Sequence, residues 1–433
     1  MPAFKTPLTN LKRAVDRWPS AIVFKIPITD SVDTIIGYSA VTYKEFFDDV
    51  ETSARYWYSK LSGDGVPAGS VVGLCLRGYS YTDVLHIYGL MKAGYVLQTF
   101  TVFPSAVEAL DPMLKASGAR VLIYDEGHFG RATSWISTNT QLKLYRSVSA
   151  FPAQSSHIPL PVQSDNHSEN DIIIIFHTSG STSGPKHIPC TYKFIDAIVT
   201  KAELTCVPVG PNVNVNSWVG SVCHVGSFGI ILSMVYYGGC VIVQTARSPS
   251  ASELKAMITL GGLTRATMFP TVLSKVIQNC VSDGELLELV RTLDPIIFSG
   301  APMPSEELQW ALENGFNLVN LYGCTECGIP MLLSNRGEPK RLRPIQISKD
   351  DGTPLIHYRF DPVDEKDPGD GEQLKELVVL ADSGDRPIES FLSDDGNFHT
   401  GDVFEEVAPG EYFHRGRKDD FIMMAYGEKC DAG

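Results

Sequence analysis

Residues 177–186 read HTSGSTSGPK and follow directly on the run IIIIF at 172–176. That run is too short for a helix and rich in β-branched residues, which predicts a strand buried on both faces. A loop of glycines, hydroxyls and one lysine leaving such a strand has the chemistry of a phosphate cradle. Gly180 and Gly184 let the backbone turn and present its N–H groups, Thr178, Ser179, Ser181, Thr182 and Ser183 add hydroxyl donors, and Lys186 adds a mobile positive charge. A Walker A loop has four residues between its glycines and then Gly-Lys-Ser/Thr. Here three residues separate Gly180 from Gly184, Pro185 precedes the lysine and His187 follows it, which disfavours a P-loop NTPase.

Around this loop, short apolar runs alternate with helical patterns. VVGLCL (71–76) and ARVLIYD (119–125) predict strands, and YTDVLHIYGLMKAG (81–94) predicts a helix with Val84, Leu85, Ile87, Leu90 and Met91 on one inward stripe, ending at Gly94. PIIFS (295–299) predicts a strand leading to the helix SEELQWALENG (305–315), in which Ser305 is expected to cap and Leu308, Ala311 and Leu312 to face inward. NLVNLY (317–322) is a further strand. The alternation predicts a layered α/β architecture. From about 335 onward Gly, Asp and Pro surround brief apolar pieces such as ELVVL (376–380) and EYFHR (411–415), as suits a small β-rich subdomain.

Composition narrows the function classes. The 433 residues carry 36 Lys+Arg against 50 Asp+Glu, a formal charge of -14, which argues against non-specific capture of nucleic acid. Nine scattered cysteines, an odd number, predict a reduced, cytoplasmic chain. Cys324 and Cys327 form a C-x-x-C without the second pair a zinc site needs, and read as two packed thiols in a turn. The N-terminus lacks an apolar signal core, and the longest apolar runs are too short for a membrane span.

Four further stretches bear on function: FSGAPM (298–303), NLYGCTECG (320–328), FHTGDVF (398–404) and GRKDD (416–420). With the opening loop, and in this order, they resemble the signature motifs of the adenylate-forming superfamily, which includes acyl-CoA synthetases, luciferases and the adenylation domains of nonribosomal peptide synthetases. The resemblance implies the large multi-lobed N-terminal core of that superfamily. Residues 1–415 would form the adenylation core, about 1–334 as α/β lobes and about 335–415 as the β-rich subdomain. Residues 416–433 would form the hinge, with Asp419 at the pivot, and the start of a small C-terminal domain that is expected to be missing from this chain, truncated at the hinge.

The same resemblance assigns roles. Thr178, Ser181, Thr182 and Lys186 would contact the β- and γ-phosphates of ATP within the loop that also holds Ser179, Gly180, Ser183 and Gly184. Gly300, Ala301 and Pro302 would line the adenosine side, and Tyr322 would lie against the purine ring. Thr325 would hold a phosphate oxygen, Glu326 would ligate Mg2+, Asp402 would accept both ribose hydroxyls, and Arg417 would reach the ribose or a phosphate. Val222, His224, Phe228, Phe269, Pro270, Ser299 and Gly300 would border the acid, with His224 near its carboxylate. The stretch CHVGSFG (223–229) has no acidic residue for an α-ammonium group, which favours an aryl, α-keto or aliphatic acid over an amino acid.

The implied reaction is ATP- and Mg2+-dependent conversion of a small carboxylic acid to acyl-AMP. The tail GRKDDFIMMAYGEKCDAG resembles the hinge of fungal nonribosomal-peptide-synthetase-like enzymes, in which a carrier domain bearing phosphopantetheine precedes a reductase or thioesterase. Loading of such a fused carrier is therefore the expected second step. A stand-alone acyl-CoA synthetase and a non-catalytic nucleotide-binding or scaffold domain are the alternatives. Neither nucleic acid nor membrane is an expected partner.

Overall fold

In the computed structural model the chain divides into two compact units, Met1–Arg265 and Ala266–Gly433. The structure describes residues 4–100, 107–127, 142–152, 159–161, 167–178, 186–206, 210, 213–218, 220–246, 248–349, 351–363, 374–418, 421–423 and 429–431.

The first unit carries strands β1 (Ile22–Thr29), β2 (Ile35–Thr42), β3 (Val71–Cys75), β4 (Val96–Phe100), β5 (Val121–Tyr124), β6 (Lys143–Arg146), β7 (Ile172–His177), β8 (His187–Thr191), β9 (Val215–Ser217) and β10 (Cys240–Ile242). They form a four-stranded sheet in the order β2-β1-β10-β9 and a six-stranded sheet in the order β6-β5-β3-β4-β7-β8. In the larger sheet every neighbouring pair is parallel except β7 with β8. Ile173 to Phe176 of β7 are all buried, as the β-branched run predicts.

The helix Tyr81–Lys92 joins β3 to β4. Ser80 and Asp83 form its capping box, and Gly94 ends it in the left-handed region at φ 88. Every residue from Asp83 to Met91 is buried, including His86 and Tyr88, so the single inward stripe expected from periodicity is too narrow. The cause is a second partner, the helix Tyr43–Gly63. Ser53 of that helix donates to the Leu85 carbonyl at 2.8 Å, and a Cβ on Gly89 would collide with Ser53.

The second unit carries β11 (Ala266–Met268), β12 (Ile296–Ser299), β13 (Leu318–Cys324), β14 (Gly328–Ser334), β15 (Leu342–Pro344), β16 (Tyr358–Pro362), β17 (Leu374–Val379), β18 (Phe398–Ala408), β19 (Glu411–Arg417), β20 (Phe421–Met423) and β21 (Lys429–Asp431). The first nine form one sheet in the order β11-β12-β13-β14-β15-β19-β18-β17-β16, and β20 and β21 pair separately. β11, β12 and β13 are parallel and the rest of the large sheet is antiparallel. The change of composition near 335 falls inside this sheet, because β14 pairs with β15 and β15 with β19. Leu332, Leu342, Leu377, Val379 and Phe404 pack as one apolar cluster across that point.

Ser305 is the first residue of the helix Ser305–Glu313 and not its cap. Pro304 holds the cap position without a side-chain bond, and the Ser305 hydroxyl instead accepts from Lys340 Nζ at 2.9 Å. Leu308 and Ala311 are buried and Leu312 is half-buried. Cys327 is buried in the apolar cluster and Cys324 Sγ lies 3.7 Å from Met331 Sδ. Among the described residues no helix is long and apolar enough to cross a membrane.

Candidate functional site

In the first unit, candidate residues gather at the carboxyl ends of β3, β4 and β7, where open α/β sheets place their ligands. The stretch HTSGSTSGPK bridges the antiparallel pair β7 and β8, with His177 opposite His187. The Thr178 N–H donates to the Lys186 carbonyl at 3.2 Å, and the Lys186 N–H to Thr178 Oγ1 at 3.4 Å. A Walker loop leads from a strand into a helix, whereas this stretch is followed by a strand, so topology as well as spacing separates it from a Walker loop. Lys186 is exposed.

The base of the loop is held from below. The His177 ring stacks on Phe100 with centroids 4.5 Å apart and planes at 15°. Gln98, fully buried, donates from Nε2 to the Met113 carbonyl at 3.1 Å and to His177 Nε2 at 3.2 Å, while Ser117 donates to its Oε1 at 2.6 Å. His177 Nε2 is thus an acceptor, and the neutral ring carries its hydrogen on Nδ1. Burial first, and the neighbouring His187 second, push its pKa down to about 3, so the ring is neutral at physiological pH.

The turn 220–224 is tied to the same strand ends. The Val222 N–H donates to the Gly78 carbonyl at 2.9 Å, and Thr99 Oγ1 to the Cys223 carbonyl at 3.0 Å. His224 caps the helix Val225–Tyr237, its Nδ1 accepting from the Gly226 N–H at 3.1 Å, which leaves the hydrogen of a neutral ring on Nε2. Val222 is fully buried, and Phe228 is buried against Phe176 at 5.5 Å.

In the second unit the ends of three parallel strands repeat the arrangement. Phe269 follows β11, Ser299 and Gly300 close β12, and Tyr322 lies near the end of β13. Gly300 has φ 106, and a Cβ there would stand 3.4 Å from Phe269, so a glycine permits both the turn and the approach. Pro270 is buried, while Ala301 and Pro302 are exposed. Thr325 and Glu326 occupy the turn between β13 and β14, both half-buried.

Asp402 is the centre of this second set. Its side chain is 10% exposed. Tyr322 donates its hydroxyl to Asp402 Oδ2 at 2.7 Å, and burial together with that carboxylate raises the Tyr322 pKa well above its ordinary value. Arg417 stands across the hairpin with Nη1 3.6 Å from Oδ1 and Nη2 3.3 Å from the Thr400 carbonyl. Gly401 has φ 73, and a Cβ on it would reach within 3.0 Å of Arg417 Nη2.

The description "AMP-binding enzyme" matches residues 11–378 of this chain. The chain belongs to the AMP-binding enzymes. The AMP-binding domain-containing enzyme iboA of Amanita muscaria (strain Koide BX008) is 30% identical over 413 residues, covering 93% of this chain and 78% of the relative. The solved structure of the anthranilate CoA ligase AuaEII in complex with anthranoyl-AMP has a TM-score of 0.76 at 18% identity, covering 100% of this chain and 80% of that one. O-succinylbenzoate coenzyme A synthetase from Bacillus subtilis, in complex with ATP and magnesium ion, gives 0.75 at 16%, covering 98% and 82%. These structures share the large multi-lobed α/β core. As an AMP-binding enzyme the chain is an acid-activating ligase.

The residues expected from motifs fall into one set per unit. Thr178, Lys186, Val222, His224 and Phe228 lie in the first, and Phe269, Pro270, Ser299, Gly300, Ala301, Pro302, Tyr322, Thr325, Glu326, Asp402 and Arg417 in the second. Ser179, Gly180, Ser181, Thr182, Ser183, Gly184 and Asp419 lie outside the described residues. Sequence reasoning missed Gly78, Gln98, His177 and His414. The first three act through strand neighbours that are remote in the chain. The last faces Asp402 through a strand irregularity. Among the described residues no group of three or more His, Cys, Asp or Glu is arranged to hold a metal.

Proposed function

We propose that this AMP-binding enzyme uses ATP and Mg2+ to convert a small carboxylic acid to acyl-AMP, and then transfers the acyl group to coenzyme A. The observation that carries the reading is the Asp402 cluster, a nearly enclosed carboxylate oriented by Tyr322 and Arg417 beside the ends of parallel strands. Such a carboxylate suits a pair of ribose hydroxyls, which only donate to it. Tyr322, Gly300, Ala301 and Pro302 would border the adenosine, and Arg417 the ribose or a phosphate.

A carboxylate oxygen of the acid attacks the α-phosphorus, the bond to the bridging oxygen breaks, and pyrophosphate leaves. The nucleophile is the substrate, so the protein's part is alignment and charge stabilisation. Thr178 and Lys186, with Ser179, Gly180, Ser181, Thr182, Ser183 and Gly184, would grip the departing phosphates, and Thr325 would donate to a phosphate oxygen. Glu326, a hard oxygen donor, fits Mg2+, whose other positions phosphate oxygens and water would fill. When bound, the cation neutralises charge on the phosphates.

His224, with Nδ1 accepting from the Gly226 N–H, carries the hydrogen of its neutral ring on Nε2 and would receive the acid's carboxylate. Val222, Phe228, Phe269 and Pro270 are apolar, and with no acidic residue in 223–229 they favour an aryl, α-keto or aliphatic acid. The two solved relatives are named as a coenzyme A synthetase and a CoA ligase, which supports coenzyme A over a phosphopantetheine carrier as the acceptor. In that second step the CoA thiolate attacks the acyl carbon and AMP leaves.

The test incubates the protein with ATP, Mg2+, a panel of aryl, α-keto, aliphatic and amino acids, and either CoA or a holo-carrier protein. Mass spectrometry then reads the thioester formed. Acyl-CoA from a non-amino acid is the expected product. Transfer to the carrier alone would move the reading to the fused-carrier type, and ATP binding without acid-dependent AMP would leave a nucleotide-binding scaffold.

A further inference from the structure

The hairpin of β18 and β19 carries an irregularity beside Asp402. Asp402 pairs with Arg417 and Val403 with Gly416, yet Phe404 pairs with His414, so β19 has one extra residue at Arg415. Gly416 takes φ 107 at this point. In an unbroken strand, residues three apart point to opposite faces. The extra residue reverses that, so His414 and Arg417 both stand on the face of Asp402.

The His414 ring is fixed on two sides. Its centroid lies 5.6 Å from Tyr322 at 35° between planes, and 5.2 Å from Phe404 at 69°. Its Nε2 lies 3.7 Å from Asp402 Oδ1, beyond hydrogen-bond range, and is shielded from solvent with no hydrogen-bond partner among the described residues. Tyr322 already occupies Oδ2, whereas Oδ1 faces, besides His414, the Arg417 guanidinium at 3.6 Å, an ion pair beyond hydrogen-bond range. A buried polar nitrogen without a partner is costly, and a closing movement of less than about 1 Å would satisfy it.

We propose that His414 is a positioning residue for nucleotide binding: it closes onto Asp402 Oδ1 when the carboxylate accepts the ribose hydroxyls, and thereby sets the enzyme's discrimination for ribose. This rests on the reading of Asp402 as the ribose ligand.

The test compares ATP with 2′-deoxy-ATP in acid-dependent AMP formation. His414→Phe keeps the ring packing against Tyr322 and Phe404 but removes the donor, whereas His414→Gln keeps a donor. His414→Phe is expected to raise the KM for ATP roughly tenfold, the size of one hydrogen bond, with kcat and Tm little changed. It should shrink the preference for ATP over 2′-deoxy-ATP, and His414→Gln should recover most of both. Combined with Asp402→Ala, the His414→Phe effect should vanish, since it acts through that carboxylate. An unchanged KM in His414→Phe, undiminished discrimination, or full additivity with Asp402→Ala overturns the proposal. If Asp402→Ala itself leaves the KM for ATP unchanged, the ribose reading fails first, and the two failures are thereby told apart.

Discussion

Asp402 accepts a phenolic hydrogen bond at 2.7 Å and stands near a guanidinium, so its carboxylate is oriented in advance of the ribose binding proposed for it. Asp402→Ala is expected to raise the KM for ATP by roughly ten- to a hundredfold, as the loss of hydrogen bonds to a charged group implies. Tyr322→Phe keeps the ring and removes one of those bonds, so a smaller rise, about three- to tenfold, should follow. Steady-state kinetics on both variants checks the order. His177 and His86, both with pKa values lowered by burial, bear on pH behaviour. His86 is buried, accepts from Trp57 Nε1 at 3.0 Å through Nδ1, and lies 3.0 Å from the Val148 carbonyl through Nε2. Burial pushes its pKa from 6.5 to about 4. Between those values the unfolded chain binds a proton that the native chain refuses. Stability is therefore lost as pH falls through that window and is unaffected by this group above it, with a full effect of about 3 kcal/mol. Urea unfolding between pH 7 and pH 4.5 should show His86→Gln less stable at pH 7 but with a shallower loss on acidification.

At the scale of elements, what matters is how strand ends and turns are pinned. Gly78 follows β3, has φ 76, and gives its carbonyl to the Val222 N–H and, at 3.2 Å, to Trp218 Nε1. A Cβ on Gly78 would overlap Ser221 and stand 2.8 Å from the Val222 nitrogen. Gly78→Ala is expected to cost about 2 kcal/mol or more through strain and displacement, and to raise the KM for the acid more than that for ATP, because the turn it moves carries Val222 and His224. Gly37→Ala, where a Cβ meets nothing within 4 Å among the described residues, serves as the control and should stay within about 0.5 kcal/mol. Thermal melts and substrate titrations on the two variants read both effects. The β7–β8 connection follows the same logic, with its ends held by the His177–His187 pairing and the Thr178–Lys186 bonds.

Across the whole molecule, each unit presents one set of candidate site residues at the carboxyl ends of parallel strands. The strands themselves were legible from short apolar runs such as IIIIF and PIIFS, and Tyr322, Asp402 and Arg417 from the order of their motifs. Other features needed the folded chain. Gln98 meets His177 because β4 and β7 are neighbours, and their segments are far apart in sequence. His414 shares a face with Asp402 only through the extra residue in β19, which no alternation pattern signals. The Gly, Asp and Pro content after 335 marks the density of turns in an antiparallel sheet, which is why it suggested a boundary where β14 continues into β15. The central claim is that acid and ATP meet to form an adenylate, and ATP–pyrophosphate exchange tests it most directly. Incorporation of labelled pyrophosphate into ATP should require an aryl, α-keto or aliphatic acid together with Mg2+, and should fall sharply in Lys186→Ala. Exchange that is absent with every acid, or that proceeds equally without one, would contradict it.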